Sequence, residues 1–402
     1  MKTSIVVGLY MGDEGKGITT DYLCSLDPLN TVVVRYAGGS QCGHTVVKGE
    51  LKHVFSSFGS GTLAGSASYL SNYCAVDPIA LMNEYNGLRE KGIYPMLYVD
   101  NLCPVITPYD RFYNQAQEIL RGEGTHGSCG MGFGATMHRS LNTPYKIFVQ
   151  DFTNPFVLQQ KLNAIYHYYY DMLVPNDALW RTFMDLIGRH ERVNSFKESC
   201  SDLVDCRQIK IIGEQKFFNE FNNNRTNFVF EGAQGVMLDM DFGFFPHVTY
   251  SNTTSKNAHE LIKRNGLSNP IIYNVTRTYQ TRHGSGPMSD QRELFLQNNE
   301  DETNVLNKWQ GNFKTGLLDI NMLQYALRCD SNYSSGCLRK LVVTCVDQIV
   351  GEWQAIESGE VITLRDTKEL ADYLFNSTYD DIIESHSPDS KDMIVYKPKE
   401  NA

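Results

Sequence analysis

The sequence predicts an α/β fold: one large domain over 1–402 with a mostly parallel central sheet, glycine-rich loops at its carboxyl edge and an inserted helical subdomain over 155–222. Three observations predict it. Short β-branched and aromatic runs recur, such as Ser4-Ile5-Val6-Val7, Thr31-Val32-Val33-Val34 and Asn227-Phe228-Val229-Phe230, and these suit strands buried on both faces. Almost every such run ends in a loop of glycine and polar residues, the place where open α/β sheets bind ligands. Between the runs lie segments of helical spacing, for example Ile79, Leu81, Met82, Tyr85 and Leu88.

The first stretch, Ser4 to Gly17, reads as strand, loop and helix start. Gly12, Gly15 and Gly17 let backbone N–H groups turn inward, and a helix from about Lys16 to Leu26 aims its positive end at the same point. An anion such as phosphate fits there. The spacing is not that of a Walker A loop: Tyr10 stands where the first glycine is required, and Gly17 replaces the Ser or Thr after the lysine. Asp13, among backbone donors and beside Glu14 and Lys16, is suited to hold Mg²⁺ or to take a proton. The same pattern also fits a plain strand-to-helix turn with solvated charges. A second strand, Thr31 to Tyr36, runs into Gly38-Gly39-Ser40-Gln41-Cys42-Gly43-His44-Thr45, where His44 is either an acid or donor facing Asp13 or an ordinary loop histidine.

Asp77 and Pro78 predict the start of a helix to Lys91, followed by a strand near Met96 to Val99. The run from Gly122 to Gly134 is too rich in glycine for an element interior and, with Arg139 close behind, reads as a ligand loop rather than a linker. From Pro155 to Asn222 the period is helical, with Leu162, Ile165, Tyr169 and Met172 on the buried face of an insertion that covers the sheet. Polar chemistry returns after the strand Asn227 to Phe230: Gln234, Asp239, Asp241 and the run Pro246 to Thr254 carry amides and hydroxyls suited to a purine edge and a phosphate. A strand at Ile271 to Val275, the loop Thr281 to Pro287, a helix at Leu318 to Leu327 and a strand at Lys340 to Val346 complete the pattern.

Composition narrows the function. The 402 residues carry a net charge of -10 with 20% charged residues, which argues against a broad surface for nucleic acid. No apolar run approaches the roughly 20 residues needed to span a bilayer, and the chain enters its first strand without a leader pattern, so a cytoplasmic protein is expected. Ten cysteines are scattered without a C-x-x-C pair and read as small apolar residues, with Cys42 and Cys129 nearest the loops.

Taken in order, the loops resemble the adenylosuccinate synthetase family, which joins aspartate to IMP with the use of GTP. Gly12-Asp13-Glu14-Gly15-Lys16-Gly17 is similar to its signature loop, Gly43-His44-Thr45 to its second, and Glu231-Gly232-Ala233-Gln234-Gly235 to its third. Ser251-Asn252-Thr253-Thr254, Thr281-Arg282 with Gly284 and Gly286-Pro287, Thr315-Gly316 with Asp319, and the Ser-x-x-Pro-Asp from Ser385 follow in the same order. The resemblance implies that Asp13 removes the N1 proton of a 6-oxopurine nucleotide, that O6 then takes the γ-phosphoryl group of GTP or ATP, and that L-aspartate displaces it. It assigns catalysis to Asp13, His44 and Gln234, and nucleotide binding to Gly12, Asp13, Glu14, Gly15, Lys16, Gly17, Gly43, His44 and Thr45. Substrate contacts fall to Gln41, Thr125, Arg139, Gln234, Thr249, Arg282, Lys314 and Thr315, and one Mg²⁺ per subunit to Asp13 and the Gly43 carbonyl. Arg139 is implied to act from a partner subunit, hence a homodimer; neither nucleic acid nor a membrane is an expected partner.

Three departures qualify the assignment. Gly311-Asn312-Phe313-Lys314 replaces a run of arginines, leaving Lys314 as the charge for aspartate. Val342, Val343 and Thr344 stand where a Lys-x-Asp would read guanine, which leaves the triphosphate open between GTP and ATP. The loop from Ser128 to Gly134 resembles viral relatives that act on dGMP; those tend to lose the aspartate base that Asp13 retains, so IMP is the expected acceptor. GMP or dGMP, or a catalytically silent nucleotide-binding paralogue, are the alternatives.

Overall fold

The computed structural model describes residues 2–122, 128–188, 191–223, 225–297, 313–375 and 379–397. The chain begins with β1 (Thr3–Gly8), α1 (Lys16–Ser25), β2 (Thr31–Arg35) and a hairpin of β3 (His44–Lys48) with β4 (Leu51–Phe55). Next come β5 (Ala67–Leu70), α2 (Pro78–Glu90), β6 (Leu97–Asp100), α3 (Pro108–Arg121) and α4 (Phe133–Asn142). Helix α2 starts where its cap predicts: the Asp77 carboxylate accepts from the N–H groups of Ile79 and Ala80 at 3.0 and 3.2 Å. Thr107 and Asp110 close the start of α3 by a reciprocal capping box.

The stretch after residue 154 holds α5 (Pro155–Leu173), α6 (Asp177–Gly188), α7 (Arg192–Asp205), β7 (Ile209–Ile212) and α8 (Glu214–Phe221). The buried stripe of α5 is Leu158, Leu162, Ile165, Tyr169 and Leu173, one residue every three or four. Met172, expected on that face, lies one position off the stripe and is 38% exposed. The insertion is also not wholly helical, because β7 pairs in parallel with β6 and forms an edge of the main sheet.

The remainder contains β8 (Asn227–Glu231), α9 (Lys256–Arg264), β9 (Ile271–Arg277), β10 (Tyr279–His283), β11 (Phe313–Asp319) and α10 (Ile320–Ser334). It ends with β12 (Leu338–Thr344), β13 (Trp353–Glu357), β14 (Glu360–Leu364), α11 (Thr367–Phe375), β15 (Ile382–Ser385) and β16 (Met393–Tyr396). Among the described residues ten strands form one sheet in the order β16-β15-β12-β9-β1-β8-β2-β5-β6-β7. Its pairs are parallel except for β15 with β16. Both faces are covered: Ile5, Val7, Val32 and Val34 pack into one core, and Val6 and Val33 into another on the opposite face. Because β1 lies between β8 and β9, the order reverses around it, and the loops after β1, β2, β8 and β9 open into one crevice.

A second sheet, β10-β11-β13-β14, departs from the expected pattern. Phe313 to Asp319 is a strand whose partner, β10, is remote in sequence, so local spacing carries no sign of it. The helix expected at Leu318 instead starts at Ile320, where the Asp319 carboxylate accepts from the Met322 N–H at 3.1 Å.

Candidate active site

The crevice is a cleft of about 990 Å³. Gly12, Asp13, Gly15, Lys16, Gly17, Gln41, Gly43, His44, Thr45, Gln234, Thr249 and Arg282 all line it, as do Cys42 and Cys129. The turn after β1 places the first five. Gly12 and Gly15 have φ of +97° and +93°, and Asp13 itself has φ of +60°, so the chain reverses in left-handed steps that only glycine takes freely. Gly15 caps α1 without a side-chain acceptor, which leaves the first N–H groups of the helix available to an anion. Gly17 lets β3 approach, since a Cβ there would lie 3.0 Å from the Cβ of His44.

Glu14 is turned away from the cleft. Its carboxylate accepts from the N–H groups of Tyr10 and Gly12, both at 2.9 Å, and from Lys16 Nζ at 2.5 Å. Glu14 therefore shapes the turn, and Lys16 is held in a buried ion pair rather than extended. Asp13 is the carboxylate of this turn that remains in the cleft. Burial raises its pKa, but a hydrogen bond from His283 and the charges of Arg277 and Lys16 outweigh this and hold it below the ordinary carboxylate value.

His44 is aimed from behind. Its Nδ1 lies 2.6 Å from Oε1 of the fully buried Glu231, which leaves Nε2 as the ring's other polar atom. Glu231 is fixed in turn by the Ser60 N–H at 3.1 Å, by the Ser60 hydroxyl and by Arg35 at 3.9 Å. Burial raises the Glu231 pKa, yet His44, Arg35 and Ser60 bring it below the usual range; burial lowers that of His44 against the pull of Glu231.

Gln234 stands on the turn after β8 with φ of +56°, and its Oε1 has no hydrogen-bond partner among the described residues. Both polar side-chain atoms of Gln41 are in the same condition. Buried amides on a cleft wall without partners point to a ligand. Arg282 donates to Met11 Sδ and to the carbonyls of Ser285, Pro287 and His247, none of which carries charge, so its guanidinium gives the cleft a positive wall.

Besides Glu14, three of the expected residues stand outside the cleft lining. Arg139 is not available to a neighbouring subunit: it is fully buried, with Nε and Nη2 on the Asp110 carboxylate at 2.8 Å each and its other contacts on the carbonyls of Tyr145 and Val105. Lys314 lies directly across from Arg282 on the β10–β11 pair, outside the cleft lining. Thr315, also outside it, uses its hydroxyl on the Arg292 carbonyl at 2.8 Å. Thr125 lies outside the described residues. The strand end expected to lack a carboxylate has one nearby, because the turn after β12 carries Asp347 two residues beyond Cys345.

Three residues of the site were not singled out from the sequence. Glu231 belongs to the glycine-loop motif yet reads as strand, while Arg277 and His283 sit beside a strand end with no motif of their own. Arg277 donates from Nε to the Asp13 carbonyl, and His283 meets the Asp13 carboxylate at 2.9 Å.

The family model for adenylosuccinate synthetase matches residues 5–356. An adenylosuccinate synthetase of Thermoplasma volcanium is 30% identical over 338 residues, covering 82% of this chain and 73% of its own. One of Neisseria meningitidis is 32% identical over 298 residues, covering 73% and 66%. Among solved structures, the fully ligated adenylosuccinate synthetase of Plasmodium falciparum superposes with a TM-score of 0.70 at 19% identity, covering 99% of this chain and 100% of that one. The succinoaminodeoxyadenylate synthetase of cyanophage S-2L, bound to dGMP and to dATP as energy donor, gives 0.62 at 16% identity over 98% and 95%.

Proposed function

Because the chain belongs to the adenylosuccinate synthetase family, ligases that form a C–N bond with the use of a nucleoside triphosphate, we propose that it joins L-aspartate to C6 of IMP to give adenylosuccinate. The observation that carries this reading is Asp13, a carboxylate on the cleft wall whose surroundings keep it ionised. Such a group can take the proton from purine N1, which makes O6 a nucleophile toward the γ-phosphate of the triphosphate. The α-amino group of aspartate then attacks C6, and the 6-phosphoryl group leaves as inorganic phosphate. His44, held at Nδ1 by Glu231, presents Nε2 as the donor to the oxygen being transferred. Gln234 and Gln41 orient the base, and the N-terminus of α1 with Arg282 supplies the positive surface for phosphates.

Mg²⁺ fits the donor set, since the Asp13 carboxylate and the Gly43 carbonyl are hard oxygens on the same wall. No group of three or more His, Cys, Asp or Glu gathers for a metal among the described residues, so phosphate oxygens would complete its shell. When bound, the ion would spread the phosphate charge. Asp347 supports GTP over ATP, because a carboxylate on the turn after β12 can accept from guanine N1–H and the 2-amino group, which adenine lacks. A cytoplasmic homodimer is part of the same reading; it rests on the family resemblance, Arg139 no longer supplying a reason for it. Among the described residues no helix is long and apolar enough to cross a membrane.

The test is turnover with IMP, GMP or dGMP, each with aspartate, Mg²⁺ and either GTP or ATP. Aspartate-dependent phosphate release with IMP is expected, reduced about 100- to 10,000-fold in Asp13→Asn. Turnover confined to GMP or dGMP would replace IMP as the acceptor, and no aspartate-dependent release with any pair would leave a nucleotide-binding protein without catalysis.

A further inference from the structure

The family resemblance runs through Thr281-Arg282 and resumes at Gly284, passing over the residue between them. That residue, His283, ends β10, and its Nε2 lies 2.9 Å from Oδ2 of Asp13. Both side chains line the cleft, with 23% and 27% of their surface exposed. The imidazole rests against Phe313, its opposite number on β11, with ring centroids 4.9 Å apart and planes inclined by 49°. Asp13 is held at a second point, because its carbonyl accepts from Arg277 Nε. Its left-handed backbone, with φ of +60°, is one that a residue bearing a Cβ keeps only where its surroundings impose it.

A carboxylate anchored through its backbone alone can still rotate about its side-chain bonds. Lys16 and Arg277, both on the cleft wall, are cations it could turn toward. The imidazole holds the side chain itself and removes that freedom.

We propose that His283 is the positioning residue for the base: its Nε2–H donates to one lone pair of Asp13 Oδ2 and so leaves Oδ1 aimed at the N1 proton of the purine, with the second lone pair of Oδ2 open to the metal. The proposal rests on the reading of Asp13 as the base. It needs only that Nε2 bear a proton, which both the Nε2–H tautomer and the imidazolium provide. Displacing a reacting atom by about 1 Å costs on the order of 100-fold in rate, so losing the donor should appear in kcat and not in nucleotide affinity. His283 also lies next to Arg282, which stands opposite Lys314 on the β10–β11 pair, so the aim of the base is built into the strand pair that carries the lysine the resemblance assigns to aspartate.

The experiment uses the full chain, with whichever acceptor and triphosphate turn over fastest in the screen above, and compares His283→Leu, His283→Gln, His283→Gly and Asp13→Asn. His283→Leu is expected to lower kcat about 10- to 100-fold, with KM for both nucleotides held within about threefold. The side-chain amide of His283→Gln offers an N–H near the imidazole Nε2 and should return kcat to within about fivefold of the parent. Added imidazole should raise the kcat of His283→Gly saturably, a response that loss of folding cannot imitate. A kcat for His283→Leu within about twofold of the parent, a loss expressed in KM, or failure of both the Gln variant and imidazole to recover activity would each overturn the proposal. An active Asp13→Asn would remove the base and this proposal together; an inactive one beside a fully active His283→Leu overturns the proposal alone.

Discussion

Arg139 and Asp110 meet in a bidentate pair with no solvent contact, and Tyr169 adds a hydrogen bond to Asp110 at 2.7 Å. An arginine near a glycine loop invites a phosphate-binding role; burial gives this one a structural role. Arg139→Leu should leave the Asp110 charge uncompensated and destabilise the protein by about 3–5 kcal/mol in urea denaturation. Asp110→Asn in the same chain should recover part of that loss. Although burial raises the Asp110 carboxyl, Arg139, Tyr169 and Thr107 hold it below its ordinary value. Its folded pKa is therefore lower than its unfolded one of about 3.9, and the unfolded chain binds more protons between the two. The contribution to stability is full above that unfolded value and is lost as pH falls through the folded one, so acidification should cost the parent protein more than the Asp110→Asn variant. Asp13, His44 and Gln234 were legible as residues because each is a polar side chain in a glycine loop. The partners that aim the first two, His283 and Glu231, were not, since nothing local in the chain reports a contact across the sheet.

At the scale of elements, the turn between β1 and α1 is where backbone and packing requirements coincide. Gly15 has φ of +93°, and a Cβ there would come within 2.5 Å of Thr344 Cγ2. Thr344 cannot simply withdraw, because its hydroxyl donates to the Glu14 carbonyl at 2.7 Å. Gly15→Ala should raise KM for the triphosphate about tenfold or more and lower the melting temperature. Adding Thr344→Ser, which removes Cγ2 but keeps the hydroxyl, should recover part of the KM and leave the backbone strain. Element starts with a cap, such as Asp77 before α2, could be read from a few adjacent residues. Strands β7 and β11 could not, because pairing with a remote strand is what makes them strands.

Across the whole molecule, the insertion belongs to the sheet as much as to itself. Leu158, Leu162, Ile165 and Tyr169 share one core with Leu97 and Val99 of β6, with Leu81 and Leu88 of α2 and with Phe112 of α3. Replacing 155–222 with a short linker would expose that core, take β7 from the sheet edge and remove the Tyr169 contact to Asp110. The deleted chain should lose its near-ultraviolet circular dichroism and its cooperative melt, whereas a separable subdomain would leave both largely intact. By itself the sequence determined the alternation of strands and glycine turns, the helix caps and the set of polar residues at strand ends, since these depend on backbone freedom and hydrogen bonding over a few neighbouring residues. Only the tertiary structure decided that Arg139 faces inward, that Glu231 backs His44 and that His283 meets Asp13, because each of these contacts joins side chains brought within reach only when the sheet and its loops are assembled.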